Sequence, residues 1–289
     1  MKLFLIAGII LAALWAIDKF AMESCPFRAA RGGIPRGQHA RYTQQVTPAR
    51  LLLLFLPFGL LMGQTREIVL VDTVRQRSIP VVMDEPSKPL KHPLRLAVLN
   101  PGYGEPPTAY SFLARHLAGR GFLVASIQHE LPGDPPLPLS GPPAVVRKPA
   151  WERGVATILF VIHALRTAHP DLDPRPPVLL GHSHGGDTAV LFAHLHPGAA
   201  SAVITLDHRR MPLPRASHPP VLSLRSSDQQ PDPGVLPSPA ELAGLPITII
   251  HLPATPHNDM TGAATPQQKA EILHHIDTFL RNPPHASPE

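Results

Sequence analysis

The sequence predicts an α/β protein: a mostly parallel central sheet with helices packed on both faces. Three features point there. Short, mostly apolar runs such as 94–99 (LRLAVL), 122–127 (FLVASI) and 201–206 (SAVITL) lack the strict polar alternation of a half-exposed strand. Longer segments with helical spacing separate them, which is the rhythm of strands joined by helical crossovers. A chain of 289 residues with 44% hydrophobic and 16% charged content also has enough apolar material for one sizeable core.

The elements follow in order. Residues 67–73 (EIVLVDT) and 79–83 (IPVVM) read as an edge hairpin with Arg75-Gln76-Arg77 near its turn. Strand 94–99 runs into Asn100-Pro101-Gly102-Tyr103-Gly104, a breaker-rich turn, and helix 108–118 closes at Gly119 and Gly121 before strand 122–127. A Pro-rich loop over 132–144 leads to helix 149–168, whose Val155, Leu159, Ile162 and Leu165 recur at helical spacing. Strand 177–180, helix 186–196, strands 201–206 and 220–224, a short helix near 238–243 and strand 247–251 complete the alternation. The last helix, 266–281, has Thr265 as N-cap, Pro266 at its first position and Gln268 to complete a capping box. Its predicted apolar face is Ile272, Leu273, Ile276, Phe279 and Leu280.

Upstream, residues 1–63 read as a separate hydrophobic and basic leader, and residues 64–289 as the catalytic domain. Runs 3–17 (LFLIAGIILAALWAI) and 51–63 (LLLLFLPFGLLMG) each follow a positive charge, Lys2 or Arg50. Both have the length of a signal-peptide core, below the roughly 20 residues that comfortably span a bilayer. The leader therefore reads as a signal or a membrane anchor, and the domain as periplasmic, secreted or attached to a membrane through this segment. The leader holds seven Lys and Arg against two acidic residues, leaving 19 basic and 19 acidic groups in the domain. A neutral domain has no basic excess to neutralise phosphates, so nucleic acid is discarded as a partner. Cys25 stands alone, which excludes an intramolecular disulfide and a cysteine-based zinc ribbon.

In an open parallel sheet ligands sit beyond the carboxyl ends of the strands. One such loop reads Gly181-His182-Ser183-His184-Gly185, a G-x-S-x-G between strand and helix. Flanking glycines relieve crowding in a sharp turn that exposes the serine hydroxyl, and the helix N-terminus favours negative charge beside it. A serine hydroxyl needs a base, and the base an orienting carboxylate. His257, in the loop after the final strand, is the candidate base. His251 lies within a strand and His274 and His275 on a helix, so position selects against them. Asp228, after strand 220–224, is the preferred acid; Asp207, after strand 201–206, is the alternative. The backbone N–H groups of His184 and Tyr103 are the candidate oxyanion donors. His182 and His184 lack an evident third ligand, so no metal is expected. Phosphate-cradling, dinucleotide and HExxH motifs are absent from the sequence, and no cofactor is expected.

Ser183, the acid and His257, in that order at strand ends, resemble the α/β-hydrolase superfamily over about residues 66–281. Residues 72–81, the NPGYG loop and GHSHGG look more narrowly like bacterial esterases of the dienelactone-hydrolase-like and platelet-activating-factor-acetylhydrolase-like groups. That resemblance implies an α/β-hydrolase fold and hydrolysis of a carboxylic ester through an acyl-enzyme without a cofactor. Dienelactone hydrolases proper carry cysteine where this chain has Ser183, and in acetylhydrolase-like members the acid follows the earlier strand, the position of Asp207. The insertion before helix 149–168 is too short for a large helical cap, so a short or absent cap and a small-molecule ester are expected. The other readings are a catalytically silent scaffold and a peptidase or acyltransferase using the same residues.

Overall fold

The computed structural model describes residues 64–285 apart from 88, 89 and 91. The leader, with both apolar runs and Cys25, lies outside the described residues. Eight strands form one sheet: β1 (Gln64–Asp72), β2 (Arg77–Glu85), β3 (Arg95–Asn100), β4 (Phe122–Ile127), β5 (Val178–His182), β6 (Ala202–Leu206), β7 (Val221–Arg225) and β8 (Ile247–His251). Four long helices accompany them: α1 (Ser111–Gly119), α2 (Lys148–Ala168), α3 (Ser183–Leu195) and α4 (Pro266–Arg281).

The strand order is β1-β2-β4-β3-β5-β6-β7-β8. β2 runs antiparallel to both β1 and β4, and every other pairing is parallel. The expected edge hairpin is present; its turn places Gln76 at φ 52, in the left-handed region. The parallel strands alternate their side chains between two cores. Leu96, Val98 and Leu179 join one cluster with Trp151 and Ile158 of α2 and Phe192 of α3. Ala97, Leu99 and Leu180 join the other with Leu113 of α1 and Ile272 and Phe279 of α4. Both faces of the sheet are thus covered, which is why these strands read as apolar runs rather than as alternations.

Two expectations need correction. On α2 the buried face is Trp151, Val155, Ile158, Val161 and Leu165, while Leu159 is 37% exposed and Ile162 only partly buried. Residues 158–162 are all apolar, so periodicity alone leaves the facing stripe one position uncertain, and packing against the sheet and α3 selects it. The second concerns α3, which begins at Ser183 and not at 186. Gly185 and Gly186 look like breakers in sequence yet occupy the first helical turn, where the backbone of neighbouring segments leaves no room for a Cβ. At the C-terminus the capping box forms as expected: Gln268 N–H donates to the Thr265 hydroxyl at 3.3 Å, and Thr265 N–H donates to the Gln268 side chain at 2.7 Å.

Between β4 and α2, residues 128–147 carry a single helical turn, Pro143–Val146. The cap is therefore short. An ion cluster holds this segment against the sheet: Asp134 receives Arg77 at 2.6 Å and Arg153 at 3.5 Å. Its far side is tied down where Leu137 N–H donates to the Tyr103 hydroxyl at 3.0 Å.

Candidate active site

The site begins with the turn between β5 and α3. Ser183 has φ 51, so its hydroxyl stands at the crest of a left-handed turn at the helix N-terminus. Neighbouring glycines make that turn possible. A Cβ on Gly181 would lie 2.3 Å from the Gly185 carbonyl oxygen, and one on Gly185 only 2.1 Å from the Asn100 carbonyl oxygen. The first turn of α3 therefore rests directly on the peptide after β3. A Cβ on Gly102 would lie 3.6 Å from that of Ser183, which sets the NPGYG loop beside the hydroxyl.

His257 reaches the serine from a single 3-10 turn, His257–Asp259, after β8. The Ser183 hydroxyl is 3.1 Å from His257 Nε2, and His257 Nδ1 is 2.6 Å from Asp207 Oδ2. One tautomer satisfies both contacts: Nδ1–H donates to the carboxylate, and Nε2 accepts from the hydroxyl. Asp207 is fully buried and has φ 49, so its carboxylate is presented by a left-handed residue immediately after β6.

The preference for Asp228 is thereby corrected. Asp228 Oδ1 accepts the backbone N–H of His257 at 2.7 Å and does not contact the imidazole. The reason is positional: β6 lies next to β5, one strand nearer the serine than β7, and the left-handed turn at Asp207 aims its side chain across that gap. Asp228 instead anchors the main chain of the histidine loop.

Asp207 collects further partners from the end of β7 and the residue that follows it. Ser226 donates its backbone N–H at 3.1 Å and its hydroxyl at 2.8 Å, and the Arg225 guanidinium lies 2.8 Å away. Burial would raise this carboxyl, but the His257 hydrogen bond, Arg225 and Ser226 outweigh it and lower its pKa to about 2.

The histidines flanking Ser183 are both occupied. His182 Nδ1 is 2.7 Å from the Tyr110 hydroxyl, and its Nε2–H donates to the His257 carbonyl at 3.1 Å. Tyr110 in turn accepts the Gly102 N–H at 3.1 Å, so one buried tyrosine links the turn, the NPGYG loop and, through His182, the histidine loop. Burial, reinforced by His257, lowers His182 to about 3 and keeps it neutral. His184 Nδ1 accepts from the Trp151 indole N–H at 3.0 Å, and burial lowers its pKa to about 4. Among the described residues no group of three or more ligating side chains could hold a metal ion.

Of the two candidate oxyanion donors, the Tyr103 N–H has no acceptor among the described residues, and the His184 N–H belongs to the first turn of α3. The Tyr103 ring packs edge-on to His184, with centroids 5.9 Å apart. Sequence reasoning missed Tyr110, Trp151, Arg225 and Ser226. The last two adjoin the Asp228 loop and could have been suspected; Tyr110 and Trp151 are helix-start aromatics that look like ordinary core.

Among the described residues no helix is long and apolar enough to cross a membrane. The model of a family described as serine aminopeptidase, S33 matches residues 91–206, a span that includes Ser183 and stops one residue short of Asp207. A search of curated proteins finds no match. Solved structures are similar over most of the chain. A ferulic acid esterase from Streptomyces cinnamoneus is 19% identical, with 79% of this chain and 92% of that one covered at a TM-score of 0.55. A dienelactone hydrolase-like promiscuous phosphotriesterase from metagenomic libraries is 14% identical, covering 77% and 99% at 0.57. A dienelactone hydrolase from Anabaena variabilis is 14% identical, covering 78% and 100% at 0.51. With its strand order, its serine turn and these likenesses, the chain has the α/β-hydrolase fold and is similar in fold to dienelactone-hydrolase-like structures.

Proposed function

We propose that this chain is a serine esterase that cleaves small carboxylic esters through an acyl-enzyme. The observation that carries the reading is the unbroken hydrogen-bond chain from Ser183 through His257 to Asp207, at 3.1 and 2.6 Å. In this reading His257 Nε2 takes the proton as Ser183 Oγ attacks the ester carbonyl, and Asp207 holds the imidazole and stabilises its cation. The Tyr103 and His184 N–H groups bind the oxyanion of the tetrahedral intermediate. His257 then protonates the departing alkoxide, and a water deprotonated by the same imidazole releases the acid. Asp228 acts through the backbone of His257, and His182 keeps the serine turn and the histidine loop in register.

The short segment 128–147 favours small or extended esters over a substrate enclosed beneath a helical lid. A peptidase is the second reading, favoured by the match to a family described as serine aminopeptidase.

Fluorophosphonate labelling of the full chain, wild type and Ser183→Ala, tests the nucleophile, alongside turnover of 4-nitrophenyl esters from acetate to octanoate and of aminoacyl 4-nitroanilides. Labelling and ester turnover that vanish together in Ser183→Ala are expected. Turnover of the anilides alone would favour the peptidase. A folded wild type that neither labels nor turns over would overturn both readings.

A further inference from the structure

A strand-terminal arginine is ordinarily a solvated charge. Arg225, the last residue of β7, is instead only 4% exposed and lies 2.8 Å from the fully buried Asp207. Its Nη1 donates to the His208 carbonyl at 2.6 Å, which fixes the guanidinium in place. Asp207 therefore faces a buried cation on one oxygen and the His257 imidazole on the other.

We propose that Arg225 is a positioning residue that holds Asp207 ionised and lowers the proton affinity of the Asp207–His257 pair. The inference rests on the reading of Ser183, His257 and Asp207 as one catalytic unit. A carboxylate alone would raise the proton affinity of its imidazole. A carboxylate already paired with a guanidinium presents a nearly neutral unit to the imidazole.

The surroundings leave Arg225 as the principal cation in direct contact with the pair. His182 stands against His257 from β5, with ring centroids 4.6 Å apart, and Ser183 faces it from α3. Both contribute as neutral groups. Asp228 meets the His257 main-chain N–H, and Ser226 meets Asp207 as a neutral donor. His208 is buried with its Nδ1 2.9 Å from the Thr205 hydroxyl, and burial keeps it neutral. Arg209, in the loop after β6, is half-buried and bonds Gln229. Asp187, on α3, partly offsets the Arg225 charge where it is ionised, burial raising its pKa to about 6.

The test follows the proton of the Asp207–His257 hydrogen bond by NMR as pH is varied, in the full-length wild type, Arg225→Met, Arg225→Gln, Arg225→Lys and Ser226→Ala. The pH profile of kcat/KM for 4-nitrophenyl acetate is measured on the same proteins. Removing the charge should move both the NMR midpoint and the acid limb upward by about one pH unit. Arg225→Gln carries that expectation if Arg225→Met does not fold. Lysine at this position should restore the limb to within a few tenths of a unit. Ser226→Ala, which removes one neutral hydrogen bond to Asp207, should move the limb less than Arg225→Met does. An unmoved midpoint in a folded Arg225→Met or Arg225→Gln protein would overturn the inference, as would a lysine variant that shifts as far as they do. A wild type that shows the midpoint yet neither labels nor hydrolyses any ester would sink the esterase reading alone.

Discussion

At the scale of residues, the two aspartates that meet His257 show how differently equal charges act. Asp207 contacts the imidazole, whereas Asp228 contacts the main chain of the same residue. Asp207→Ala should therefore lower kcat by roughly three to four orders of magnitude. Asp228→Ala removes one backbone hydrogen bond, worth about 1–3 kcal/mol, and should cost at most about a hundredfold. Steady-state hydrolysis of a 4-nitrophenyl ester checks the pair, and equal losses would contradict the assignment. Ser183 itself is strained, since a β-carbon at φ 51 costs on the order of 1 kcal/mol or more. Ser183→Gly should abolish turnover and at the same time raise the melting temperature. A lowered melting temperature would mean that the turn is not a reservoir of strain.

At the scale of elements, the serine turn works because β5, α3 and the loop after β3 approach to backbone contact. Gly185→Ala puts a methyl 2.1 Å from the Asn100 carbonyl oxygen, an overlap that only backbone movement can relieve. That variant should lose fluorophosphonate labelling even where circular dichroism reports a folded protein; full labelling would show that the contact is dispensable. Helix α2 makes a second case. Its apolar stretch is legible in the sequence as a helix, but which stripe faces inward is not, because neighbouring positions are equally apolar. Ile158→Ala should cost about 2–5 kcal/mol in urea unfolding, and Leu159→Ala less than about 1. Similar costs at both positions would restore the expected stripe.

At the scale of the whole molecule, four buried histidines couple stability to pH. Burial lowers His129, His182 and His208 to about 3 and His184 to about 4. Each stays neutral in the folded protein, while the unfolded chain takes up a proton below its ordinary value near 6.5. The unfolded state then binds more protons, so stability falls as pH drops from about 6.5 toward these lowered values. Asp187 acts in the opposite sense. Burial raises it to about 6, so between 6 and its ordinary value near 3.8 the folded carboxyl takes its proton first. Four histidines against one aspartate leave a net loss of roughly 3–4 kcal/mol per pH unit between pH 6 and 5. Urea unfolding at pH 7.5, 6 and 5 checks this, and a flat profile would contradict it.

What the sequence determined by itself was whatever depends on local pattern. Apolar runs located the strands, helical spacing and the Thr265–Gln268 box located the last helix, and G-x-S-x-G located the sharp turn at Ser183. Chain order and loop position singled out His257 among many histidines, and it lies 3.1 Å from the Ser183 hydroxyl. The acid was different. Asp207 and Asp228 both follow strands in suitable loops, and no local feature tells which carboxylate crosses the gap to the imidazole. Strand order and a left-handed backbone at Asp207 decided it, through contacts between residues 50 apart in the chain. The same holds for Tyr110, Trp151 and Arg225. Their type and spacing are those of ordinary core or surface residues, and only the packing of α1, α2 and β7 around the turn brings their polar atoms to His182, His184 and Asp207. Periodicity reports that an element has an apolar face to bury; which stripe is buried and which polar atoms meet there are set by distances between elements, and those exist only once the chain has folded.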